Sequence, residues 1–303
     1  MEEFKISAEN FDLEETMTCG QTFCWHRING ELYSDGSEDQ GSSEAEDSEE
    51  SSKPHFYTFK DGKPIVVEEV DGELHVKTEA DRETVEKALG LNHDLEEIFD
   101  TFPEDENLEK AKKEMWGLRV VQDDFFPCLV SYLCSPQMRI PRIKEMHNKI
   151  AKEFGETVEF DGHQLLRFPT LEELSEASED DLRDLGVGYR AKYIIESMEI
   201  LNDGFEPEFP EDYEEAREKM KELYGVGDKV ADCVLLFSQE QLEAYPIDTW
   251  AMKAIKEQYP ELHSDDYDEL SRNMRDHFGP YSGYAQEYIF HAARNGIIEV
   301  DPS

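Results

Sequence analysis

The stretch Leu223-Tyr-Gly-Val-Gly-Asp-Lys-Val-Ala-Asp-Cys-Val-Leu-Leu-Phe-Ser-Gln-Glu-Gln-Leu-Glu-Ala-Tyr-Pro-Ile-Asp248 decides how the chain is read. Helix formers run from Asp212 to Leu223 ahead of it. After Gly227 the apolar residues Val230, Val234 and Phe237 recur at helical spacing, with Lys229 and Cys233 on a second stripe. The pattern predicts helix, glycine turn, helix. Gly225 and Gly227 allow a sharp turn and a close approach of backbone to a ligand, and the second helix presents free N–H groups and the positive end of its dipole. That is a seat for a phosphate. Lys229 falls in the first turn of the same helix, where the dipole disfavours a cation and favours the neutral, nucleophilic amine. These residues also fit an ordinary helical turn with an exposed lysine, so the motif must be weighed against the rest of the chain.

The 303 residues allow one large or two medium domains, and a hydrophobic content of 38% suits a packed core. No apolar run reaches the length of a membrane span, and the first residues lack the basic and apolar regions of a signal peptide, so a cytoplasmic, nucleoid-associated protein is expected. Basic residues number 30 against 73 acidic ones, a net charge of −43, yet aromatics hold at 11% where disorder would deplete them. An acidic coat around a normal core predicts a cell interior of very high salt, as in haloarchaea, where the Debye length shrinks to roughly 3 Å or less. In such salt counterion release contributes little, so the charge does not exclude DNA as a partner. Cys19, Cys24, Cys128, Cys134 and Cys233 form neither a C-x-x-C pair nor a metal-spaced cluster, so no disulfide framework, metal or cofactor is expected.

Working outward, the first 80 residues are punctuated as β-structure. Asn29-Gly30, Asp35-Gly36, Asp61-Gly62 and Asp71-Gly72 separate short runs at Thr22 to Trp25, Phe56 to Phe59, Pro64 to Val67 and Leu74 to Lys77. The interruption at 35–52, without a basic or aromatic residue, reads as a disordered acidic loop. From about Asp81 the pattern is helical. Helices are predicted at Thr84–Leu89, Leu108–Glu114, Asp124–Cys134, Ile140–Phe154, Leu171–Ala177, Ala191–Leu201, Glu211–Leu223, Lys229–Phe237, Thr249–Gln258 and Gly283–Asn295, with Asp123 and Thr170 as N-caps. The fold class is α+β: an N-terminal antiparallel β-sheet domain at 1–100 followed by an all-α domain at 101–303. Leu185-Gly-Val-Gly-Tyr-Arg-Ala-Lys192 echoes the opening stretch, giving a second Gly-Val-Gly turn ahead of a helix.

Lys229 and Cys233 stand one helical turn apart, as do Gln286 and Phe290, and Asp248 caps the helix that starts at Thr249. Each of these has a bland explanation alone, Asp248 as a routine cap and Gln286 with Phe290 as a helix edge beside a core residue.

Together they resemble the 8-oxoguanine DNA glycosylase branch of the helix-hairpin-helix (HhH-GPD) superfamily. Leu223 to Asp248 resembles its helix-hairpin-helix, Gly/Pro-rich loop and aspartate. Cys19-Gly-Gln-Thr-Phe-Cys-Trp is similar to its G-Q-[ST]-F-x-W, and Leu133-Cys-Ser-Pro-Gln-Met-Arg-Ile-Pro-Arg142 to its strand-insertion loop. Leu185 to Lys192 resembles its L-G-x-G-Y-R-A, and Tyr284-Ala-Gln-Glu-Tyr-Ile-Phe290 its A-Q-x-x-x-F. The resemblance implies a TATA-binding-protein-like sheet domain ahead of the helical one, and a monomer acting on double-stranded DNA that contains oxidised guanine. The damaged base is expected to flip into a pocket. Lys229 would attack C1′ and form a Schiff base that β-elimination converts to a nick, while Asp248 stabilises the cationic sugar.

By the same resemblance, the Gly20 carbonyl would accept N7–H of 8-oxoguanine, Cys233 and Phe290 would sandwich the base, and Gln286 would read its edge. Tyr189 would wedge into the stack, Arg142, Arg190 and Gln137 would face the opposite strand, and Gly225 and Gly227 would hold a phosphate. This chain has Gln137 where the family usually has asparagine, and Trp250 where it commonly has histidine. No cysteine follows Cys233, unlike the iron–sulfur endonuclease III branch. Two alternatives remain open at this stage: a related glycosylase for another lesion, such as an alkylated base, or a non-catalytic DNA-gripping module. A basic strip through Arg139, Arg142, Arg190, Lys192 and Lys229 is expected to meet DNA.

Overall fold

Strands bury one face by alternating apolar and polar side chains, and tight Asp-Gly turns let successive strands pair. The first part of the chain is built this way. The computed structural model describes residues 1–33 and 54–300; the acidic tract at 35–52 lies outside them. Strand β1 (Glu2–Ser7) and helix α1 (Leu13–Thr18) come first. Then follow β2 (His26–Arg27), β3 (His55–Lys60), β4 (Lys63–Val70) and β5 (Glu73–Thr78), in an antiparallel sheet of order β1-β5-β4-β3-β2. At the β3–β4 and β4–β5 turns Asp61 and Asp71 have φ of 50° and 53°, and the glycines after them 73° and 78°, the geometry that matches right-twisted strands. Leu13 and Met17 of α1, with Val85 and Ala88 of α2 (Arg82–Ala88), cover Phe56, Ile65, Val67, Leu74 and Val76 on one sheet face.

Thr22 to Trp25 is not a strand, and the reason is visible in its hydrogen bonds. The Phe23 and Trp25 carbonyls accept from the Lys144 ammonium (2.7 and 2.8 Å), Cys24 O accepts from the Thr58 hydroxyl (3.0 Å), and Thr22 O from Tyr33 (2.9 Å). Side chains take the groups a sheet ladder would need.

The rest is helical: α3 (Leu95–Asp100), α4 (Glu106–Glu114), α5 (Phe125–Leu133), α6 (Ile140–Phe154), then after a hairpin α7 (Leu171–Leu174), α8 (Glu179–Asp184), α9 (Arg190–Asn202), α10 (Tyr213–Met220), α11 (Asp228–Ser238), α12 (Thr249–Gln258), α13 (Tyr267–Phe278) and α14 (Ser282–Arg294). Among the described residues no helix is long and apolar enough to cross a membrane. Thr170 caps α7 in a reciprocal capping box with Glu173. The cap expected at Asp123 falls instead at Asp124: Asp123 is buried and accepts from the Thr22 hydroxyl at 2.8 Å, a stronger claim on its carboxylate than a helix end.

The hairpin, β6 (Glu156–Phe160) and β7 (His163–Arg167), interrupts what was expected to be unbroken helix. It turns at Asp161-Gly162 and docks on the sheet half. Phe160 and Leu165 pack with Ile28, Tyr57 and Val66, Tyr57 accepts from Leu166 N at 3.1 Å, and Lys77 reaches Asp161 at 2.6 Å. A large second core runs through the helices and includes Cys19 and Phe23 from the sheet half. That intrusion shapes the site.

Candidate active site

A cleft of about 1690 Å³ opens between the helices and the Cys19–Phe23 segment. Its lip is the Gly225-Val226-Gly227 turn. Gly225 has φ of 82°, and a Cβ there would lie 2.5 Å from the Tyr193 ring, so both conformation and space call for glycine. Val226 is buried beneath the turn, and the Ser197 hydroxyl holds the Tyr224 carbonyl at 2.8 Å. Gly227 is the N-cap of α11 and supplies no side-chain cap, which leaves the first N–H groups of the helix directed outward. Asp228, the one acidic residue of that first turn, is engaged by Arg217 (3.2 Å) and Lys221 (2.9 Å).

One residue further, Lys229 points into the cleft. Its ammonium donates to the Ser135 hydroxyl at 3.2 Å and stands 5.0 Å from the centroid of the Tyr132 ring. Cys233, one turn along and buried, faces the same space. Asp248 lies across from them as the N-cap of α12, accepting from Ala251 N at 2.8 Å. Burial raises its carboxyl, while the backbone bond to Ala251 and the charge of Lys229 act in the opposite sense. The cap expected from sequence and the acid expected in the cleft are the same group.

The far wall is one face of α14, carrying Gln286, Glu287, Phe290 and Arg294. Gln286 Oε1 is buried with no hydrogen-bond partner among the described residues, an acceptor whose isolation costs about 1–3 kcal/mol until a donor arrives. Opposite it, Gly20 has φ of 112°, and a Cβ would fall 2.6 Å from Ile140 Cδ1 and 2.8 Å from Arg294 Nη1. The segment is strapped to α14: Glu15 meets His291 at 2.7 Å, the Cys19 thiol donates to Glu287 at 3.6 Å, and Arg294 donates to the Cys19 carbonyl at 2.7 Å.

Glu287 was not singled out from sequence. Its buried carboxyl is pushed up to about 8, chiefly by burial and further by Asp248, against the Cys19 hydrogen bond and the charges of Arg294 and Lys229. The folded state therefore keeps a proton that the unfolded chain loses near its ordinary value of 4.5. This contribution leaves stability full below that value and erodes it as pH rises toward about 8. Glu287→Gln removes the erosion. We expect thermal melts of the variant and the natural protein to diverge in the variant's favour between about pH 5 and pH 8, and a constant difference across that range would disprove the linkage.

Gly20, Gln137, Gly225, Gly227, Lys229, Cys233, Asp248, Gln286 and Phe290 thus line one cleft. Tyr189, Arg190 and Arg142 lie beside it. Tyr189 is 46% exposed at the second Gly-Val-Gly turn, whereas Arg190 is buried, stacked 4.5 Å over the Tyr189 ring and donating to the Pro136 carbonyl. Arg142 pairs with Glu145, and Lys192 lies 3.8 Å from Glu196. The expected basic strip is therefore not continuous: one of its cations is buried and two face carboxylates. Apart from Met1, the exposed large hydrophobic residues among those described are Met138, Tyr189 and Tyr224, each on a loop at the cleft rim. Helices α6, α9, α12 and α14 carry no acidic residue in the first turn, while most other helices do. Among the described residues no group of three or more His, Cys, Asp or Glu is arranged to hold a metal ion.

Comparison with known proteins adds a second line. Residues 3–129 match the family model of the 8-oxoguanine DNA glycosylase N-terminal domain, and residues 130–280 that of the HhH-GPD superfamily base excision DNA repair proteins. A probable N-glycosylase/DNA lyase of Methanothermobacter thermautotrophicus is 32% identical over 265 residues, covering 78% of this chain and 84% of that protein. The N-glycosylase/DNA lyase of Saccharomyces cerevisiae is 35% identical over 190 residues, covering 57% of this chain and 50% of its own length. Among solved structures, the Clostridium acetobutylicum 8-oxoguanine glycosylase/lyase, in complex with double-stranded DNA containing cytosine opposite 8-oxoguanine, superposes with a TM-score of 0.78 at 28% identity, covering 96% of this chain and 94% of that one.

Proposed function

Because this chain belongs to the 8-oxoguanine DNA glycosylases of the HhH-GPD superfamily, we propose that it removes 8-oxoguanine from duplex DNA and nicks the strand, as a bifunctional N-glycosylase and lyase. The observation that carries the assignment to this site is the convergence of Lys229, Asp248 and the unpaired Gln286 Oε1 on one cleft. Lys229 attacks C1′ through the lone pair of Nζ, giving up a proton, the bond to the base breaks with its electron pair leaving on the base, and the sugar opens to a Schiff base on Nζ. Loss of a 2′ proton then expels the 3′ phosphate by β-elimination. Asp248, across the cleft, opposes the positive charge that grows on the sugar.

Base choice follows from the opposite walls. The Gly20 carbonyl receives N7–H, which 8-oxoguanine has and guanine lacks, so guanine leaves two acceptors facing each other at a cost of about 1–3 kcal/mol. Cys233 and Phe290 hold the base between them, and Gln286 pairs with its edge. Gly225 and Gly227 seat a phosphate, Tyr189 enters the vacated stack, and Gln137, Arg142 and Arg190 meet the opposite strand. We divide the labour near residue 100, with 1–100 supplying the Gly20 wall and 101–303 the nucleophile. The enzyme works as a monomer without a cofactor, in the nucleoid of a cell whose high salt suits a charge of −43.

In borohydride, the protein should become covalently joined to a duplex carrying 8-oxoguanine opposite cytosine and not to an undamaged one. No adduct in any buffer up to molar salt refutes the mechanism, and faster trapping on an alkylated base reassigns the lesion. Phe290→Ala and Gln286→Ala should each slow excision roughly 10- to 100-fold, the equivalent of losing one stacking or one buried polar contact of about 1–3 kcal/mol. Unchanged rates in both variants would remove the base-pocket assignment.

A further inference from the structure

A second cleft, of about 860 Å³, adjoins the first and runs between β2 and α6. Leu32, Tyr33, Gln137, Met138, Arg139 and Pro141 line both, so the two form one continuous depression. Its charge is the inverse of the chain's: Arg27, Arg139, Arg142, Lys144, Lys149 and Lys152 face it against Glu31 and Glu145, whereas the whole sequence has 30 basic residues to 73 acidic. Arg142 and Lys149 share the single carboxylate of Glu145, and Arg27 pairs with Glu14. Arg139 and Lys152 are exposed and have no ion-pair partner among the described residues. Lys144 is buried at the edge of this space with no ion-pair partner within 4 Å among the described residues, held by the Phe23 and Trp25 carbonyls and by His26 at 3.2 Å. The first turn of α6 adds to the field, because it has no acidic residue and no side-chain cap.

A surface that is otherwise acid-coated concentrates cations where an anion must be held. The anion is extended. Arg142, Lys149 and Lys152 project from one face of α6, and at about 1.5 Å per residue they span roughly 15 Å, the rise of about four phosphates along one DNA strand. We propose that this groove is a second DNA contact, gripping the phosphodiester backbone of the duplex arm that leaves the active-site cleft past β2. It rests on the functional reading above and gives the sheet half, through Arg27, a part in binding. Because only backbone charge is engaged, the contact is blind to sequence and lesion.

The test compares Lys149→Glu/Lys152→Glu with Lys110→Glu/Lys113→Glu, which makes the same change of charge on exposed residues of α4 that line neither cleft. Affinities are measured over a range of salt for undamaged duplexes of about 12 and about 30 bp. The groove variant should lose at least about tenfold on the long duplex and much less on the short one, and its log–log salt slope should fall by about two. The α4 variant should stay within about twofold of the natural protein. Unchanged binding by the groove variant, or equal loss in both variants, would overturn the proposal. If the natural protein binds the long duplex through the groove yet releases no 8-oxoguanine, the groove stands and the glycosylase reading falls.

Discussion

Lys229→Gln is expected to give a folded protein that leaves no covalent adduct in borohydride and no nick at an abasic site. An amide cannot form a Schiff base, so the loss of trapping is complete rather than partial. Excision measured in a single turnover should drop by about three orders of magnitude or more, at about 1.4 kcal/mol of barrier for each tenfold. The fold should tolerate the change, since the hydrogen bond from Nζ to Ser135 is long, at 3.2 Å, and the residue is half-buried on the cleft wall. Binding to a duplex containing an abasic analogue should survive, because the Gly225–Gly227 turn and the rim side chains are untouched. Equal trapping by the variant and the natural protein would exclude Lys229 as nucleophile.

The second large effect concerns stability. Arg217, on α10, is buried among three carboxylates, reaching Asp232 and Asp268 at 2.8 Å and Asp228 at 3.2 Å. Asp232 also accepts from Tyr213 at 2.6 Å and Tyr267 at 2.8 Å, and Tyr267 in turn accepts from Ile247 N at 3.1 Å. The network therefore ties α11, which carries Lys229, to the residue just before Asp248. Arg217→Met removes the counter-charge and strands a buried carboxylate, at about 3–5 kcal/mol. That should lower the melting temperature by on the order of 10 °C. Burial already lifts Asp232 to about 6, against the pull of Arg217. Without the guanidinium the carboxyl rises further, so the folded state holds a proton the unfolded chain has lost, and the penalty grows as pH increases from about 4 toward neutrality. Melts of equal depression at acid and neutral pH would show that the stranded carboxylate is not the cause, and a loss under about 1 kcal/mol would show that the network is dispensable.

Much of this was legible in the sequence where a residue type is forced by local geometry. Gly225 and Gly20 occupy backbone conformations or spaces that side chains do not tolerate, and Thr170 with Glu173 forms its capping box within four residues. Asp248 carried a local role as a cap, and that role places it in the cleft. What is not legible in the sequence depends on distant partners. Glu287 becomes a held proton because the fold buries it, beneath a segment that includes Cys19, 268 positions away. Thr22 to Trp25 has β-like composition, but Lys144, Thr58 and Tyr33 claim its carbonyls from outside. The hairpin at 156–167 did announce itself through Asp161-Gly162, yet its buried apolar residues are few, Phe160 and Leu165, and helical patterns surround it. The expected basic strip is broken because Arg190 turns its guanidinium inside the protein, onto the Pro136 carbonyl, a partner 54 positions away that composition does not reveal.

The strap between Cys19 and α14 also orders events in time. Ribosomes make Cys19 and Gly20 early, Lys229 much later and Gln286 to Arg294 later still, and the cleft has both its walls only once the latest of these has docked on the earliest. Until then a nascent chain can display the amine of Lys229 but has no α14 wall opposite it. Synthesis thus separates possession of Lys229 from completion of the cleft it faces, and a polypeptide interrupted before α14 has only part of that cleft.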